Sequence, residues 1–547
     1  MSDTLTSNGP NGPKPAAYTP PEPLTGLALV LGTLCLSLAT FMNVLDSSIA
    51  NVSIPGISGD LGVSPSQGTW VITSFGVANA ISVPLTGWLT QRFGAVSLFT
   101  WSIVLFVLAS ILCGLAPSIE WLVAFRVLQG LVAGPMIPLS QTLLMSSYPK
   151  SRAGTALALW GMTTLVAPVV GPLLGGWITD NISWPWIFYI NAPVGVVAAM
   201  LTWVIYKKRE TPIRKLPIDS VGLALLVVWV GSLQLMLDKG KELDWFASNT
   251  IVILAVVAAI SFAVFLVWEF TDAHPVVDLR LFLGKNFFFG CLSLSLAYGI
   301  FFGNNVILPL WLQQWMGYTA TSAGIALAPV GALAILLTPI VGKKLNVWDP
   351  RLMATGAFMT FAVVLWMRAS FTTQTDLGFI LIPTILQGAA LAFFFIPLTT
   401  VSLAGLGPER IPAAAGLSNF VRITAGAMGT SIATTVWDQR ASLHHAHFTE
   451  PLVQDQGAFG AFVAAMNQAG LSTEQAWIQV NRMIDQQAFT RAADDIFYAS
   501  GWFFVILIAI IWIPDRPAKF KHSGPSSKSG PNASVNPGSS AAASAAH

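Results

Sequence analysis

Two charged residues lie within long apolar stretches of the sequence, and their chemistry has to be explained first. Asp46 falls in L-D-S-S-I-A-N-V-S-I-P, at the end of an apolar run, and Arg126 falls in F-R-V-L-Q-G. Either charge at the centre of a lone membrane helix costs about 2.5–3.5 kcal/mol on insertion scales. We therefore expect both side chains to face the interior of a helix bundle or a wet cavity. Burial favours the neutral form of a carboxylate, so Asp46 is a candidate for binding and releasing a proton.

Each residue also has a simpler interpretation. The first apolar run is longer than one membrane span, so Asp46 is alternatively a residue at the outer helix end in contact with water. Arg126 is alternatively half of a buried pair that holds the first, second and fourth spans together. The sequence leaves both alternatives open.

The composition indicates an all-α integral membrane protein. Of the 547 residues, 54% are hydrophobic and only 10% are charged, whereas soluble proteins carry about 25% charged residues. The net charge of +2 does not point to nucleic acid. The three cysteines lie in separate apolar runs, so no disulfide framework or zinc site is expected.

Fourteen apolar segments are long enough to predict transmembrane helices. They lie near residues 25–48, 69–89, 96–115, 119–143, 154–178, 185–206, 219–237, 249–270, 288–312, 323–341, 352–370, 377–402, 413–436 and 497–514. Lys and Arg concentrate in alternate short connections, which predicts that both termini are cytoplasmic. The long connection 437–495 then lies on the outer side.

An internal repeat divides the chain into two halves. R-V-L-Q-G from Arg126 is similar to T-I-L-Q-G from Thr384, eight spans later. Two six-helix halves separated by two extra helices fit this offset, and such a plan places the substrate site between the halves. The predicted units are a flexible tail 1–23, an N-terminal half 24–206, a linker with two extra helices 207–280, a C-terminal half 281–514 and a disordered tail 515–547.

Four segments carry a resemblance to a known family. They are the Asp46 segment, G-W-L-T-Q-R-F-G at 87–94, the Arg126 segment and A-P-V-V-G-P-L-L-G-G at 167–176. Together the segments resemble the major facilitator superfamily, specifically its fourteen-span drug:proton antiporter branch and the EmrB-type multidrug exporters. The resemblance covers nearly the whole chain apart from the two tails.

The resemblance implies a fold and an activity. The fold is the major facilitator fold with 14 transmembrane helices, and the activity is proton-driven efflux of small hydrophobic drugs by alternating access. Asp46 and Arg126 would couple protons to transport, driven by the proton gradient with no cofactor. The implied location is the bacterial inner membrane, with a periplasmic membrane-fusion adaptor (EmrA-like) and an outer-membrane channel (TolC-like) as partners.

Further site residues follow from the motifs and from buried polar positions. The antiporter motif of the fifth span contributes glycines that allow close helix packing and prolines that bend the helix: Pro168, Gly171, Pro172, Gly175 and Gly176. The loop after the second span contributes Gly87, Arg92 and Gly94, but Gln91 stands where an aspartate is usual, which puts its charged latch in doubt. Candidates for lining the substrate cavity are Asn51, Asn79, Gln129, Asn304, Asn305, Gln387, Asn419 and Arg422.

The histidines His444, His445 and His447 of the outer connection lack a further ligand cluster, so no metal site is predicted. Two other functions stay open: a proton-coupled symporter or uniporter for a metabolite, and a membrane sensor that transports nothing. An enzyme is disfavoured because the sequence shows no catalytic triad, metal cluster or phosphate loop.

Overall fold

The computed structural model describes residues 22–149, 152–213, 217, 219–345, 347–454 and 456–516. The predicted tails 1–23 and 515–547 fall almost wholly outside the described residues. Fifteen helices organise the described chain: α1 (Gly26–Asp60), α2 (Trp70–Phe93), α3 (Ala95–Gly114), α4 (Ile119–Ser147), α5 (Ala153–Asn181), α6 (Trp186–Arg209), α7 (Ser220–Lys239), α8 (Asn249–Thr271), α9 (Lys285–Gln314), α10 (Ala320–Lys344), α11 (Pro350–Arg368), α12 (Leu377–Ser402), α13 (Ile411–Gln454), α14 (Gln456–Gln468) and α15 (Thr473–Ile511).

Every predicted span overlaps one of these helices over nearly its whole length. Twelve of the helices are long and apolar enough to cross a membrane. The other two predicted spans coincide with α5 and α13, which are 29 and 44 residues long. The all-helical membrane class is therefore confirmed, and fourteen crossings stay the prediction.

In each half, two long helices pack closely through glycine and other small residues. In the N-terminal half α5 lies against α1, where a Cβ on Gly175 would sit 2.8 Å from the Ile49 side chain. In the C-terminal half α13 lies against α9, where a Cβ on Gly303 would sit 2.9 Å from that of Ala433. Small residues let these backbones approach closely, which is how membrane helices gain packing energy without a hydrophobic driving force.

The extra helix α7 contacts both halves, and α8 packs against α7. α7 packs on α8 and α2, and Ser431 of α13 donates a hydrogen bond to the carbonyl of Leu237 at 2.9 Å. α8 exposes most of its apolar side chains, as expected of a helix that faces lipid.

The halves meet at the end of the bundle that carries the Lys/Arg-rich connections, here called the basic end. Gly154 of α5 and Gly342 of α10 face each other, and a Cβ on Gly342 would lie 2.7 Å from the Gly154 carbonyl oxygen. Gly87 of α2 and Ala413 of α13 form a second close contact. The cleft between the halves is therefore closed at the basic end.

The predicted outer connection 437–495 is mostly helical over its described residues. Residues 437–454 continue α13 and residues 473–495 begin α15, so the two helices form a hairpin beyond the bundle, with α14 between them. Arg440 and His444 of α13 both contact the Asp495 carboxylate, with the imidazole nitrogen at 2.7 Å. His445 lies 3.5 Å from Asp485.

Candidate functional site

Asp46 and Arg126 form a buried ion pair inside the N-terminal half. Arg126 Nη1 lies 2.5 Å from Asp46 Oδ2, and both side chains are 0% exposed. α1 continues to Asp60, more than three turns beyond the carboxylate, so Asp46 is not a helix-end residue in contact with water. The pair therefore lies in the bundle interior, where the sequence analysis expected it.

Two amides complete the surroundings of the carboxylate. Gln129 Nε2 donates to Asp46 Oδ1 at 3.0 Å, and Asn191 Nδ2 donates to the same oxygen at 2.8 Å. Gln129 lies three residues after Arg126 on the same face of α4, so its Oε1 also accepts a hydrogen bond from Arg126 Nη1 at 2.7 Å. The carboxylate thus receives donors from α4 and α6, which fix its orientation.

The guanidinium of Arg126 is held by the backbone and by aromatic rings. Its Nε donates to the carbonyl of Val71 on α2 at 3.0 Å. Its Cζ lies 4.2 Å from the ring centre of Phe75 and 5.6 Å from that of Phe188, within cation–π range. Arg126 therefore links α1, α2 and α4, as the structural alternative for this residue expected, while it also neutralises Asp46.

Sequence reasoning found the charged pair and Gln129 but missed Asn191. Asn191 is buried at the start of the regular part of α6, and its Nδ2 also bonds to Ser110 Oγ at 2.9 Å. A lone Asn inside an otherwise apolar run was a usable signal. Nothing in the sequence indicated that Phe75 and Phe188 would lie on the guanidinium.

The antiporter-motif glycines lie directly beside this site. A Cβ on Gly171 would lie 2.6 Å from Ser48 Cβ, and one on Gly175 would lie 2.8 Å from Ile49. Ser48 and Ile49 follow Asp46 within one turn of α1. Gly176 has more room, with Val52 at 3.8 Å. α5 runs as one helix past the positions of Pro168 and Pro172.

A small cavity lies between the halves at the closed end of the cleft. Arg422, Asn419, Phe395 and Gln141 are among its lining residues, and its free volume of about 10 Å³ is no more than one water molecule needs. The Arg422 guanidinium lies 5.0 Å from the Phe395 ring centre. Asn419 Nδ2 donates to Gln141 Oε1 at 3.2 Å, which joins α13 to α4 across the two halves. A cavity of this size is smaller than the pockets of about 300–1,000 Å³ that hold drug-sized ligands.

The cavity prediction needs correction for three residues. Gln129 belongs to the Asp46 cluster, Asn304 donates to Ser500 Oγ at 2.9 Å, and Gln387 is bonded to Arg368. Their amides are buried within one half, because a buried amide takes the nearest polar partner that packing offers. Among the remaining candidates, Asn419 and Arg422 line the cavity, Asn51 is exposed, and Asn79 and Asn305 are half-buried.

The loop motif is supported by carboxylates that the motif itself does not contain. Gly94 adopts a positive φ of 84°, and a Cβ there would strike the Glu210 carboxyl group. Glu210 accepts hydrogen bonds from the backbone N–H groups of Val96 and Ser97 at 2.9 and 2.8 Å, which caps the start of α3. Arg92 lies over the Trp88 ring at 5.6 Å.

A second carboxylate lies near Gly87 and Gln91. Asp278, from the segment between α8 and α9, lies 2.7 Å from Arg410 at the start of α13. Gln91 and Asp278 border the same small cavity. Charged contacts therefore exist at this end of the bundle, although the motif lacks its usual aspartate.

Comparisons with known proteins agree with this architecture. The sequence matches the Major Facilitator Superfamily over residues 36–430. It is 51% identical to the multidrug export protein EmrB of Escherichia coli (strain K12) over 497 residues, which cover 91% of this chain and 97% of the relative. It is 48% identical to the fatty acid resistance protein FarB of Neisseria gonorrhoeae, over 92% of this chain and 98% of the relative.

Solved structures with low sequence identity share the fold. The human organic anion transporter MFSD10 aligns with a TM-score of 0.57 at 12% identity, over 88% of this chain and 99% of the other. The proton:xylose symporter XylE aligns with a TM-score of 0.54 at 14% identity, over 89% of this chain and 95% of the other.

Proposed function

This chain belongs to the major facilitator superfamily and to its group of EmrB multidrug export proteins, and from that premise we propose that it is a proton-driven antiporter that exports hydrophobic toxic compounds. It is a membrane transporter and not an enzyme. The relatives named for drug export disfavour a metabolite symporter or a sensor that transports nothing.

The single observation that carries the coupling proposal is the buried Asp46–Arg126 pair. Asp46 is a carboxylate with a permanent cation at 2.5 Å and two amide donors. Protonation removes its negative charge, so Arg126 loses its ionic partner, and the packing of α1 against α4 and α6 is weakened. Proton binding therefore changes the stability of one helix arrangement relative to another.

The helix α5 connects this site to the closed end of the cleft. Near its middle, Gly171 and Gly175 contact the segment of α1 that follows Asp46. At its start, Gly154 contacts Gly342 of the opposite half. A small shift of α1 against α5 is thus transmitted along a rigid helix to the contact that closes the basic end.

The transport cycle follows from this connection. With Asp46 charged, the protein binds the drug; the drug is released on the outer side when Asp46 takes up a proton there. Moving one charge through 100 mV supplies about 2.3 kcal/mol, and one pH unit adds about 1.4 kcal/mol. One proton per cycle then sustains roughly a several-hundred-fold gradient of a neutral drug.

The cavity between the halves suits hydrophobic cargo once it widens. Its lining combines apolar residues, among them Leu294, Phe395 and Leu403, with five polar ones: Gln141, Thr399, Ser418, Asn419 and Arg422. The apolar side chains can contact hydrophobic ligands of varied shape, and the polar side chains can orient them.

We place the protein in the bacterial inner membrane with both termini cytoplasmic, because the basic end carries the Lys/Arg-rich connections. The hairpin of α13 and α15 then projects into the periplasm. Its ion pairs between Arg440 and Asp495 keep it rigid enough to serve as a docking surface for a membrane-fusion adaptor linked to an outer-membrane channel.

Drug-dependent proton release from the detergent-purified protein tests the coupling. Addition of drug to unbuffered wild-type protein should release protons in proportion to drug bound, and Asp46→Asn should release none while still binding drug. Glu269→Gln is the matched control, because Glu269 is equally buried but lies on the extra helix α8. Proton release by Asp46→Asn equal to that of the wild type would remove Asp46 from the mechanism.

The direction of transport is tested separately in proteoliposomes of known orientation. An imposed proton gradient should drive drug against the direction of proton movement. Drug that moves together with the protons would instead identify a symporter.

A further inference from the structure

The C-terminal half contains a buried cation that has no acidic partner among the described residues. Arg368 is the last residue of α11, and its side chain is 0% exposed. Its Nη2 donates to Gln387 Oε1 on α12 at 2.6 Å. Within the described chain no carboxylate lies within ion-pair distance of this guanidinium.

The remaining donors of Arg368 are buried as well. Nε and Nη1 have no hydrogen-bond partner within the described residues. An arginine side chain carries five N–H donors and does not lose its proton in proteins. Isolated buried charges are costly unless paired, and buried donors without acceptors add to that cost. The C-terminal end of the α11 dipole offsets part of the charge but supplies no acceptor to Nε or Nη1.

The internal repeat allows the surroundings of Gln387 to be compared with those of Gln129, its counterpart in the N-terminal half. Gln129 and Gln387 occupy the same place in the repeated motif. In each half the third helix contacts the oxygen of this amide. In the first half the contact is from Cys113 Sγ to Gln129 Oε1, at 3.7 Å; in the second half it is from Arg368 to Gln387 Oε1. Cys113 and Arg368 are each the nineteenth residue of their helix.

The acid of the first half has no counterpart in the second. N-V-S-I-P at 51–55 corresponds to N-V-I-L-P at 305–309, so the residue five positions earlier is Asp46 in one half and Ile300 in the other. The first half therefore contains an amide, a cation and an anion. The second contains the amide, a cation that comes from the third helix of its half instead of the fourth, and an aliphatic residue at the position of the anion.

We propose that Arg368 and Gln387 form a binding site for a small monovalent inorganic anion, of which chloride is the abundant example. The anion would accept N–H groups of the guanidinium and supply the negative charge that Asp46 supplies in the other half. Both side chains are buried, with 0% and 2% exposure, which favours a small ion over a larger organic anion. The site lies at the end of α11, two residues before the exposed Ser370, so a small ion reaches it from the hairpin end over a short distance.

Thermal unfolding of the purified full-length protein tests the site. The melting temperature is followed by tryptophan fluorescence while sodium gluconate is replaced by sodium chloride at a constant ionic strength of about 0.15 M. A ligand that binds only the folded state raises the melting temperature with its concentration. The wild type should show a saturable increase with chloride, and Arg368→Met should show none.

A matched variant separates this site from general effects of chloride. Arg422→Met removes the other buried arginine of the C-terminal half, which lies on Tyr298 and Phe395, and should keep the chloride-dependent increase. If Arg368→Met does not fold, Arg368→Lys decides: it keeps the charge but not the planar donors, so its half-saturating chloride concentration should rise.

Direct binding is measured by the width of the chloride-35 NMR line. The wild-type protein should broaden the line, and bromide should reverse the broadening by competition. An unchanged melting temperature of the wild type between gluconate and chloride, or equal chloride dependence in both Arg368 variants and the wild type, would overturn the proposal. In that case ordered water would be the partner of the guanidinium.

Discussion

Removing one partner of the Asp46–Arg126 pair should destabilise the protein far more than removing both charges. The pair is buried with a 2.5 Å contact, so each single variant leaves one charge inside the N-terminal half without its counter-charge. We consider Asp46→Asn, Arg126→Met and the double variant. Asn at position 46 keeps an oxygen that can accept the hydrogen bonds of Gln129 and Asn191.

The loss in free energy of unfolding depends on which charge each variant leaves buried and on the contacts that charge keeps. Breaking a buried ion pair by removing one partner costs about 3–5 kcal/mol, whereas replacing both partners by neutral groups is often close to neutral. In Arg126→Met the carboxylate retains its two amide donors. In Asp46→Asn the guanidinium retains the Val71 carbonyl and the Phe75 ring. Both single variants should therefore be destabilised by an amount near the lower end of this range, and the coupling energy should lie between about 3 and 6 kcal/mol.

The assay is equilibrium unfolding in mixed micelles of a mild detergent and dodecyl sulfate, followed by tryptophan fluorescence for all four proteins. The free energy of unfolding of the double variant should exceed that of either single variant. If the two single effects simply add, to within about 0.5 kcal/mol, the residues do not act as a pair and the reasoning is refuted.

Three further outcomes are expected. Gly342→Val places a side chain against α5 and should prevent closure of the basic end. Drug efflux should then be lost while the amount of folded protein is unchanged. Gly324→Val is the control: its Cβ meets open space, so this variant should transport normally in the same efflux assay. Asn191→Leu removes a hydrogen bond to the Asp46 carboxylate and should cost about 1.5–3 kcal/mol in the same unfolding assay; a loss below about 0.5 kcal/mol would show that this bond is unimportant. Asp495→Asn weakens the ion pairs that join the two helices of the hairpin, so hydrogen exchange should rise in the hairpin and not in the bundle; equal exchange in both proteins would contradict this role.

Much of the fold was predictable because membrane helices are encoded locally. A run of about 20 apolar residues must form a helix to satisfy its backbone in lipid, so each predicted span overlaps a helix over nearly its whole length. The motif that begins at Arg126 and recurs at Thr384 likewise predicted two similar halves. The burial of Asp46 and Arg126 followed from the cost of exposing a charge to hydrocarbon.

The partners of these charges were decided only by tertiary packing. Asn191 is 145 residues from Asp46 in the chain, and no periodicity links them. Gln387 appeared to be a cavity residue because it is polar and lies in a span, but α11 places Arg368 beside it. The sequence likewise indicated a long outer connection, but not that its two sides continue α13 and α15 without a break from the bundle.

The sequence by itself determined where the helices are, how the halves repeat and which charges must be buried, because each of these depends on the free energy of a residue in lipid or water. The tertiary structure decided which helix faces each buried group meet. That choice depends on the rotation and approach of neighbouring helices, which residues such as Gly171, Gly154 and Gly342 set by allowing backbones to touch. The side chains that share a site therefore come from helices far apart in the chain.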